Sequence, residues 1–304
     1  MNGPKRAWHS LHLFVAAERD LDTLALEAGS WMADHKAGRS RSWFFIRYME
    51  GGPHLRLRAK AGDDEAWTSL KRHMTDVCTK LARGKEPDQW ARAVTTPTRR
   101  GEVHAPGQAV DVAYQPETIR YGGEEALAVH EDLFAVSSSI ATEVVRRTGH
   151  NSGDRVGAAM RLMLDTVAGL LGLEADPRRY MFEYAASWRG TWTDNIEKPR
   201  TVGFDVEASY RERASRLDGE LPKTISGKWI GALREARRRL DDISLRGAMI
   251  SPLSGEKAEG AGAIRSAMAS MTHSQIHMLN NRLGLWPNVE IAMAEALATS
   301  KAEP

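Results

Sequence analysis

The sequence of 304 residues has a single cysteine, Cys78, no apolar run of membrane-spanning length, and a net charge of only +2. One cysteine excludes an intramolecular disulfide and any zinc site built from several cysteines. No run of about 18 apolar residues occurs, and the first residues lack the apolar core of a signal peptide, so we expect a cytoplasmic protein without a membrane partner. The balanced charge gives no reason to expect direct binding of nucleic acid.

Several motifs of cofactor-dependent and serine-dependent enzymes are also missing. There is no Gly-x-Gly-x-x-Gly fingerprint and no Walker phosphate loop, which disfavours a nucleotide cofactor. The cluster Ser137–Ser139 lacks the Gly-x-Ser-x-Gly elbow of serine hydrolases. We therefore expect no organic cofactor and no serine nucleophile.

The most informative stretch is Trp43–Arg58, in which two apolar-rich runs flank the turn Glu50-Gly51-Gly52-Pro53. This pattern predicts a β-hairpin. Its second run alternates between an apolar set and a polar set, namely Leu55, Leu57 and Ala59 against His54, Arg56 and Arg58. Two arginines on one strand face lie about 7 Å apart and suit a carboxylate or phosphate. An ordinary solvated strand face is the alternative interpretation.

The order of elements predicts an α+β fold, with a small antiparallel β-sheet in the N-terminal third packed with a predominantly α-helical remainder. We expect one domain over residues 1–304. Strands are predicted at Trp8–Ala16, in the hairpin and at Ala109–Gln115, and Gly84–Ala109 is predicted to be mostly loop. Helices are predicted at Asp20–Lys36, Asp63–Arg83, Glu124–Arg147, Arg155–Leu171, Pro177–Trp188, Val206–Leu217, Lys228–Leu245, Ala263–Leu283 and Asn288–Thr299.

Two further clusters carry chemistry. Glu117 and Arg120 precede Tyr121-Gly122-Gly123, where paired glycines allow a close backbone approach. The alternative is a weak surface ion pair that closes a turn. In the predicted C-terminal helix, His273 and His277 share a face. Without an HExxH glutamate or a third ligand, proton transfer is a better interpretation than zinc binding.

Taken together, these segments resemble the C-terminal elimination domain of lantibiotic dehydratases, a family that includes stand-alone thiopeptide-type bacteriocin biosynthesis proteins. The resemblance runs from about Trp8 to Glu290. It rests on the combination of WFFIRY, GGPHLRLR, PETIRYGG, a Phe-x-x-Ser-Ser helix and IHMLNNRLG. The departures are mild: Ile119 replaces a usually polar residue, and Leu279-Asn280 follows Met278 before the Asn-Arg pair.

The resemblance implies a function in which glutamate is eliminated from a glutamylated Ser or Thr of a precursor peptide, leaving dehydroalanine or dehydrobutyrine. It also implies the site residues, which fall on Arg56, Arg58, Glu117, Arg120 and His277. The chemistry fits these residue types, because β-elimination needs a base and a cationic seat for carboxylates but no metal. We therefore expect all five residues to meet in one cleft.

Two other functions stay open. Stand-alone members of the same family join two dehydroalanines of a thiopeptide by a formal aza-cycloaddition, then expel water and the leader peptide to give a pyridine ring. A non-catalytic subunit that only binds the precursor peptide is the third hypothesis. Retention of all five residues makes elimination the leading hypothesis.

The resemblance also implies the partners. They are a precursor peptide with its leader and a separate glutamylating enzyme that uses glutamyl-tRNA. A homodimer is a further arrangement that the family adopts.

Overall fold

The computed structural model describes residues 8–35, 42–60, 64–99, 101–149, 151–190, 204–215 and 221–300. Its chain divides into two compact units, one of residues 1–115 with 141–147, the other of residues 116–140 with 148–304. The predicted ends of three helices, Lys36, Asp63 and Leu217, lie outside the described residues. The expectation of a single domain stays a prediction, and each unit is described by itself.

The first unit holds an antiparallel sheet of four strands in the order β2-β3-β1-β4. Its strands are β1 (Trp8–Phe14), β2 (Trp43–Tyr48), β3 (His54–Lys60) and β4 (Ala109–Asp111). The predicted hairpin is thus confirmed as β2–β3, while the first and last strands are shorter than expected. Gly51 and Gly52 have φ of 81° and 110° in the connecting turn, a backbone conformation that glycine adopts without a steric cost.

One face of this sheet is apolar, and the helices α1 (Glu18–Asp34) and α2 (Asp64–Ala82) pack against the sheet. Leu55 and Leu57 are fully buried on that face. Arg47, which lies opposite Leu55 in the register, reaches α1 and donates to Asp22 at 2.7 Å. The alternation read from the second run therefore divides the strand between two faces as predicted.

Cys78 of α2 is buried, and its thiol contacts the Phe14 carbonyl at 3.2 Å. Burial raises the pKa of this thiol to about 12. A protonated buried thiol is a packing group rather than a nucleophile.

One predicted loop contains a helix. Within Gly84–Ala109, the short helix α3 spans Gln89–Val94. The Asp88 carboxylate accepts from the backbone N–H of Ala91 at 2.7 Å and so caps the first turn. The sequence predicted a loop here because prolines and glycines lie on either side of this short helix.

Most of the described residues from 124 onward are helical, which confirms the α+β class with its sheet in the N-terminal part of the chain. The helix bounds agree with the predicted ones to within about three residues at the described ends. They are α4 (Glu124–Thr148), α5 (Ser152–Leu171), α6 (Pro177–Arg189), α7 (Val206–Ser215), α8 (Ile225–Leu245), α9 (Gly260–Arg282) and α10 (Pro287–Thr299).

In the second unit, α5 packs against α7, α8 and α9, and α6 packs against α10. Asp165 of α5 is fully buried and pairs with Arg213 of α7 at 2.7 Å. Trp229 of α8, also fully buried, donates to the Thr166 hydroxyl at 2.9 Å. No helix of the described residues is long and apolar enough to cross a membrane.

Candidate active site

The two arginines of β3 lie on the sheet face opposite the leucines, each over an aromatic ring. The Arg56 guanidinium carbon is 3.4 Å from the centre of the Tyr48 ring. That of Arg58 is 4.5 Å from the Tyr114 ring and 5.3 Å from the Phe44 ring. Such stacking holds a planar cation in a fixed orientation and lets it keep its charge.

His54 fixes the orientation of Arg56 further. Its Nδ1 lies 2.7 Å from the Gly52 carbonyl oxygen, so Nδ1 carries the proton and Nε2 accepts from Arg56 Nε at 3.0 Å. Burial lowers the pKa of His54 to about 3, and the nearby Arg56 charge lowers it too. The ring is therefore neutral near pH 7, as an acceptor of an arginine N–H must be.

The neighbouring strand adds a second buried histidine. His12 lies opposite Arg56 in the register and stacks on His54 with 4.7 Å between ring centres. Burial and the neighbouring His54 lower its pKa to about 2. This sheet face therefore offers two fixed cations and two neutral histidines, an environment suited to an anion.

In the second unit, the predicted Glu117–Arg120 pair forms, with Arg120 Nη1 at 3.4 Å from a Glu117 oxygen. Both side chains are more than a third exposed, so the pair by itself contributes little to stability. Arg120 also donates through Nε to the Ser274 hydroxyl of α9 at 3.2 Å. Two contacts through different nitrogens orient the guanidinium against α9.

The glycines after Arg120 bring the turn close to α9. Gly122 has a φ of 84°, and a Cβ at that position would lie 2.7 Å from the Met271 sulfur. Gly123 has a φ of 100° and would place a Cβ at 2.9 Å from the side chain of Ile250. The close backbone approach that the sequence predicted is thus confirmed, and its partners are Met271 and Ile250.

We expect Gly122→Ala to lower the free energy of unfolding by about 2 kcal/mol or more, because alanine at positive φ is strained and its methyl group overlaps Met271. Gly157→Ala is the control: Gly157 lies within α5, and a methyl group added there would meet no atom within 4 Å. That change should leave stability equal or higher. Denaturant unfolding measures both, and equal midpoints for the two variants would contradict the close packing of Gly122.

His277, the predicted base, lies on α9 one turn beyond Ser274. Its Nδ1 is 2.9 Å from a carboxylate oxygen of Glu290, which is fully buried on α10. Trp188 of α6 packs on the imidazole with 4.6 Å between ring centres. The ring is therefore held on one side by a carboxylate and on another by an indole.

His273, the other histidine of this face, packs against Tyr184 with 4.3 Å between ring centres. Burial lowers its pKa to about 4, and the nearby His277 and Arg120 lower it as well. His273, His277 and Arg120 therefore lie close together in the second unit. Among the described residues no group of three histidine, cysteine or carboxylate side chains is placed to hold a metal ion.

Sequence reasoning missed Glu290, Tyr184 and Trp188. The spacing of Tyr184 and Trp188 by four residues puts them on one face of a helix, which is a signal that the sequence does contain. The sequence does not indicate Glu290 as a site residue, because its contact with His277 depends on how α10 turns back after α9. The structure brings Glu117, Arg120 and the α9 histidines together in one unit, and Arg56 with Arg58 in the other.

The model of the family described as lantibiotic biosynthesis dehydratase C-term matches residues 8–301. The chain belongs to this family. Its resemblance to lantibiotic dehydratases is therefore confirmed, and the family places the chain among peptide-modifying enzymes in the biosynthesis of ribosomally made peptides. A search of curated proteins gives no match.

Solved structures share the fold of this family member. TsrL is similar with a TM-score of 0.62 and 17% identity, covering 98% of this chain and 99% of that one. A pyridine synthase from thiomuracin biosynthesis, TbtD, gives a TM-score of 0.61, 17% identity and 96% coverage of both chains. The tRNA-dependent lantibiotic dehydratase MibB from Microbispora sp. 107891 gives 0.50 and 18%, covering 98% of this chain and 28% of that one.

Proposed function

We propose that the chain eliminates glutamate from glutamylated Ser or Thr residues of a leader-bearing precursor peptide, leaving dehydroalanine or dehydrobutyrine. A base removes the Cα proton, the electron pair forms the Cα=Cβ double bond, and the Cβ–O ester bond breaks to release glutamate. The reaction needs a positioned base and cations for the departing carboxylates and the developing enolate. It requires neither an oxidant nor a cofactor.

The arrangement on α9 carries this proposal. Ser274 and His277 are three residues apart and thus neighbours on one helix face. Ser274 holds the Arg120 guanidinium at 3.2 Å, so a carboxylate-binding cation and a histidine lie along the same helix face. With Nδ1 directed at Glu290, Nε2 is the nitrogen with which His277 can take the Cα proton.

The roles of the other residues follow from their charges. Arg120 binds a carboxylate of the glutamyl group, and Glu117 orients the Arg120 side chain through the Glu117–Arg120 ion pair. Arg56 and Arg58 are the other two cations that the family resemblance implies, and each guanidinium offers a carboxylate a fork of parallel donors. We infer from the family that a separate enzyme using glutamyl-tRNA glutamylates the peptide beforehand.

Pyridine formation is the second candidate, and one observation favours it. This chain and TbtD, a pyridine synthase, cover 96% of each other. That reaction also needs proton transfers, because loss of water and of the leader from the cycloadduct produces the aromatic ring. It has no glutamyl carboxylate to bind, which is why the arginines favour elimination.

The purified chain should therefore convert a glutamylated precursor peptide and leave a peptide with two dehydroalanines unchanged. Mass spectrometry of both incubations separates the candidates, because elimination loses glutamate and keeps the leader. Loss of the leader from the second peptide, without loss of glutamate from the first, would replace elimination by pyridine formation. Binding of the precursor with neither reaction would make the chain a precursor-binding subunit.

A further inference from the structure

We propose that Glu290 is a positioning residue that sets which nitrogen of His277 carries the proton, and that Tyr184 and Asn280 fix Glu290 for this task. The assignment rests on the proposed function in one respect, namely that His277 acts as the base. Which nitrogen of His277 carries the proton can be measured without any reaction, so that part of the proposal is tested separately.

The two oxygens of the Glu290 carboxylate have different partners. Oε1 faces His277 Nδ1 at 2.9 Å. Oε2 accepts from the Tyr184 hydroxyl and, at 3.4 Å, from the Asn280 amide. Because a carboxylate only accepts hydrogen bonds, all three partners act as donors, and Nδ1 of His277 carries its proton. The lone pair of the neutral ring is then on Nε2.

The charged and titratable groups around the ring come from four parts of the second unit: Glu290 on α10, Tyr184 on α6, His273 on α9, and Arg120 on the turn before α4. Burial raises the pKa of Tyr184 well above its usual value, and the Glu290 charge raises it further. The pKa of His273 is lowered to about 4. Both are therefore neutral near pH 7.

Glu290 thus supplies the negative charge beside the ring, and Arg120 the positive charge nearby. A buried carboxylate hydrogen-bonded to Nδ1 holds the imidazole in the tautomer whose lone pair is on Nε2. The same contact keeps the ring from turning over. Burial strengthens both effects, because Glu290 has no exposed surface and water does not screen it.

Glu290→Gln tests the assignment, because the two groups that donate to Oε2 determine the orientation of the glutamine amide. Tyr184 and Asn280 both donate, so they hold the glutamine carbonyl at the Oε2 position. The glutamine NH₂ then takes the place of Oε1 and donates to His277 Nδ1. The proton of the ring must move to Nε2, and the ring can no longer act as a base through that nitrogen.

We expect two results from this variant. In ¹⁵N NMR spectra of the folded protein, with His277 assigned by comparison with His277→Ala, the protonated nitrogen should change from Nδ1 to Nε2. The kcat for glutamate elimination should fall on the order of 100-fold to 10,000-fold, with KM changed little, as when an amide replaces the carboxylate of a catalytic triad.

Glu295→Gln is the matched control. Glu295 lies on the same helix α10, and replacing it by glutamine removes the same charge. Its carboxylate, however, pairs with Arg189 near the surface. We expect the protonated nitrogen of His277 and the kcat to stay as in the wild-type protein.

Tyr184→Phe removes one hydrogen-bond donor from Oε2 of Glu290 and keeps the carboxylate, so kcat should fall only several-fold.

An unchanged protonated nitrogen in folded Glu290→Gln would overturn the assignment. If Glu290→Gln does not fold, the wild-type protein is the test, and a proton on Nε2 of His277 in its ¹⁵N NMR spectra would overturn the assignment as well. A shifted proton with full elimination activity would instead show that His277 is not the base. That result would remove the catalytic role given to His277 and leave the positioning role of Glu290 intact.

Discussion

Replacing His277 by alanine should stop elimination and leave the glutamylated peptide intact. A positioned general base contributes about 100-fold to 10,000-fold to a rate. His273, the other histidine of α9, packs against Tyr184 and Trp188 and is not placed to replace it. Single-turnover incubation followed by mass spectrometry measures the loss of the glutamyl group directly.

His73→Ala is the control for His277→Ala. His73 lies on α2, is about 40% exposed and pairs with Glu27. Its removal should leave the elimination rate unchanged. A rate within about two-fold of wild type for folded His277→Ala would exclude this histidine as the base, since proton abstraction from Cα is the step that the base accelerates.

Arg120→Lys should lower kcat/KM for the glutamylated peptide by tens-fold, about 2 kcal/mol in transition-state binding. Lysine keeps the charge, but one ammonium group cannot reproduce a planar fork that meets Glu117 through Nη1 and Ser274 through Nε. The loss should appear in elimination and be smaller in any pyridine-forming activity, whose substrate has no glutamyl carboxylate.

Arg238→Lys is the comparison for Arg120→Lys. Arg238 forms an exposed pair with Glu235 on α8, and its replacement should leave kcat/KM as it is. Equal effects of the two substitutions would mean that the Arg120 fork does not bind the substrate carboxylate.

Much of the fold could be predicted because its signals are local. Strict alternation from His54 to Ala59 predicts a strand with two different faces, and the structure buries Leu55 and Leu57 as that pattern requires. Helix bounds follow from breakers and apolar spacing in the same way. The helix at Gln89–Val94 was missed because its six residues are too few to show a period.

The candidate site was predictable only in part. Glu117 and Arg120 are three residues apart, so their contact is local and the sequence could anticipate it. The contact of His277 with Glu290 is different, since it depends on the angle at which α10 returns past α9 and α6. Neither residue type nor spacing encodes that angle, and packing of three helices determines it. The meeting of all five predicted residues in one cleft stays a prediction.

The hairpin β2–β3 has a consequence for how the chemistry of such a chain changes during evolution. The contacts of Arg56 with the Tyr48 ring and with His54, which rests on Gly52, all come from the hairpin itself. The parts that orient Arg56 are therefore inherited as one short block of sequence. Substitutions confined to that block can therefore remove or restore the oriented Arg56 cation, while the helices that carry His277 and Glu290 keep their own sequence.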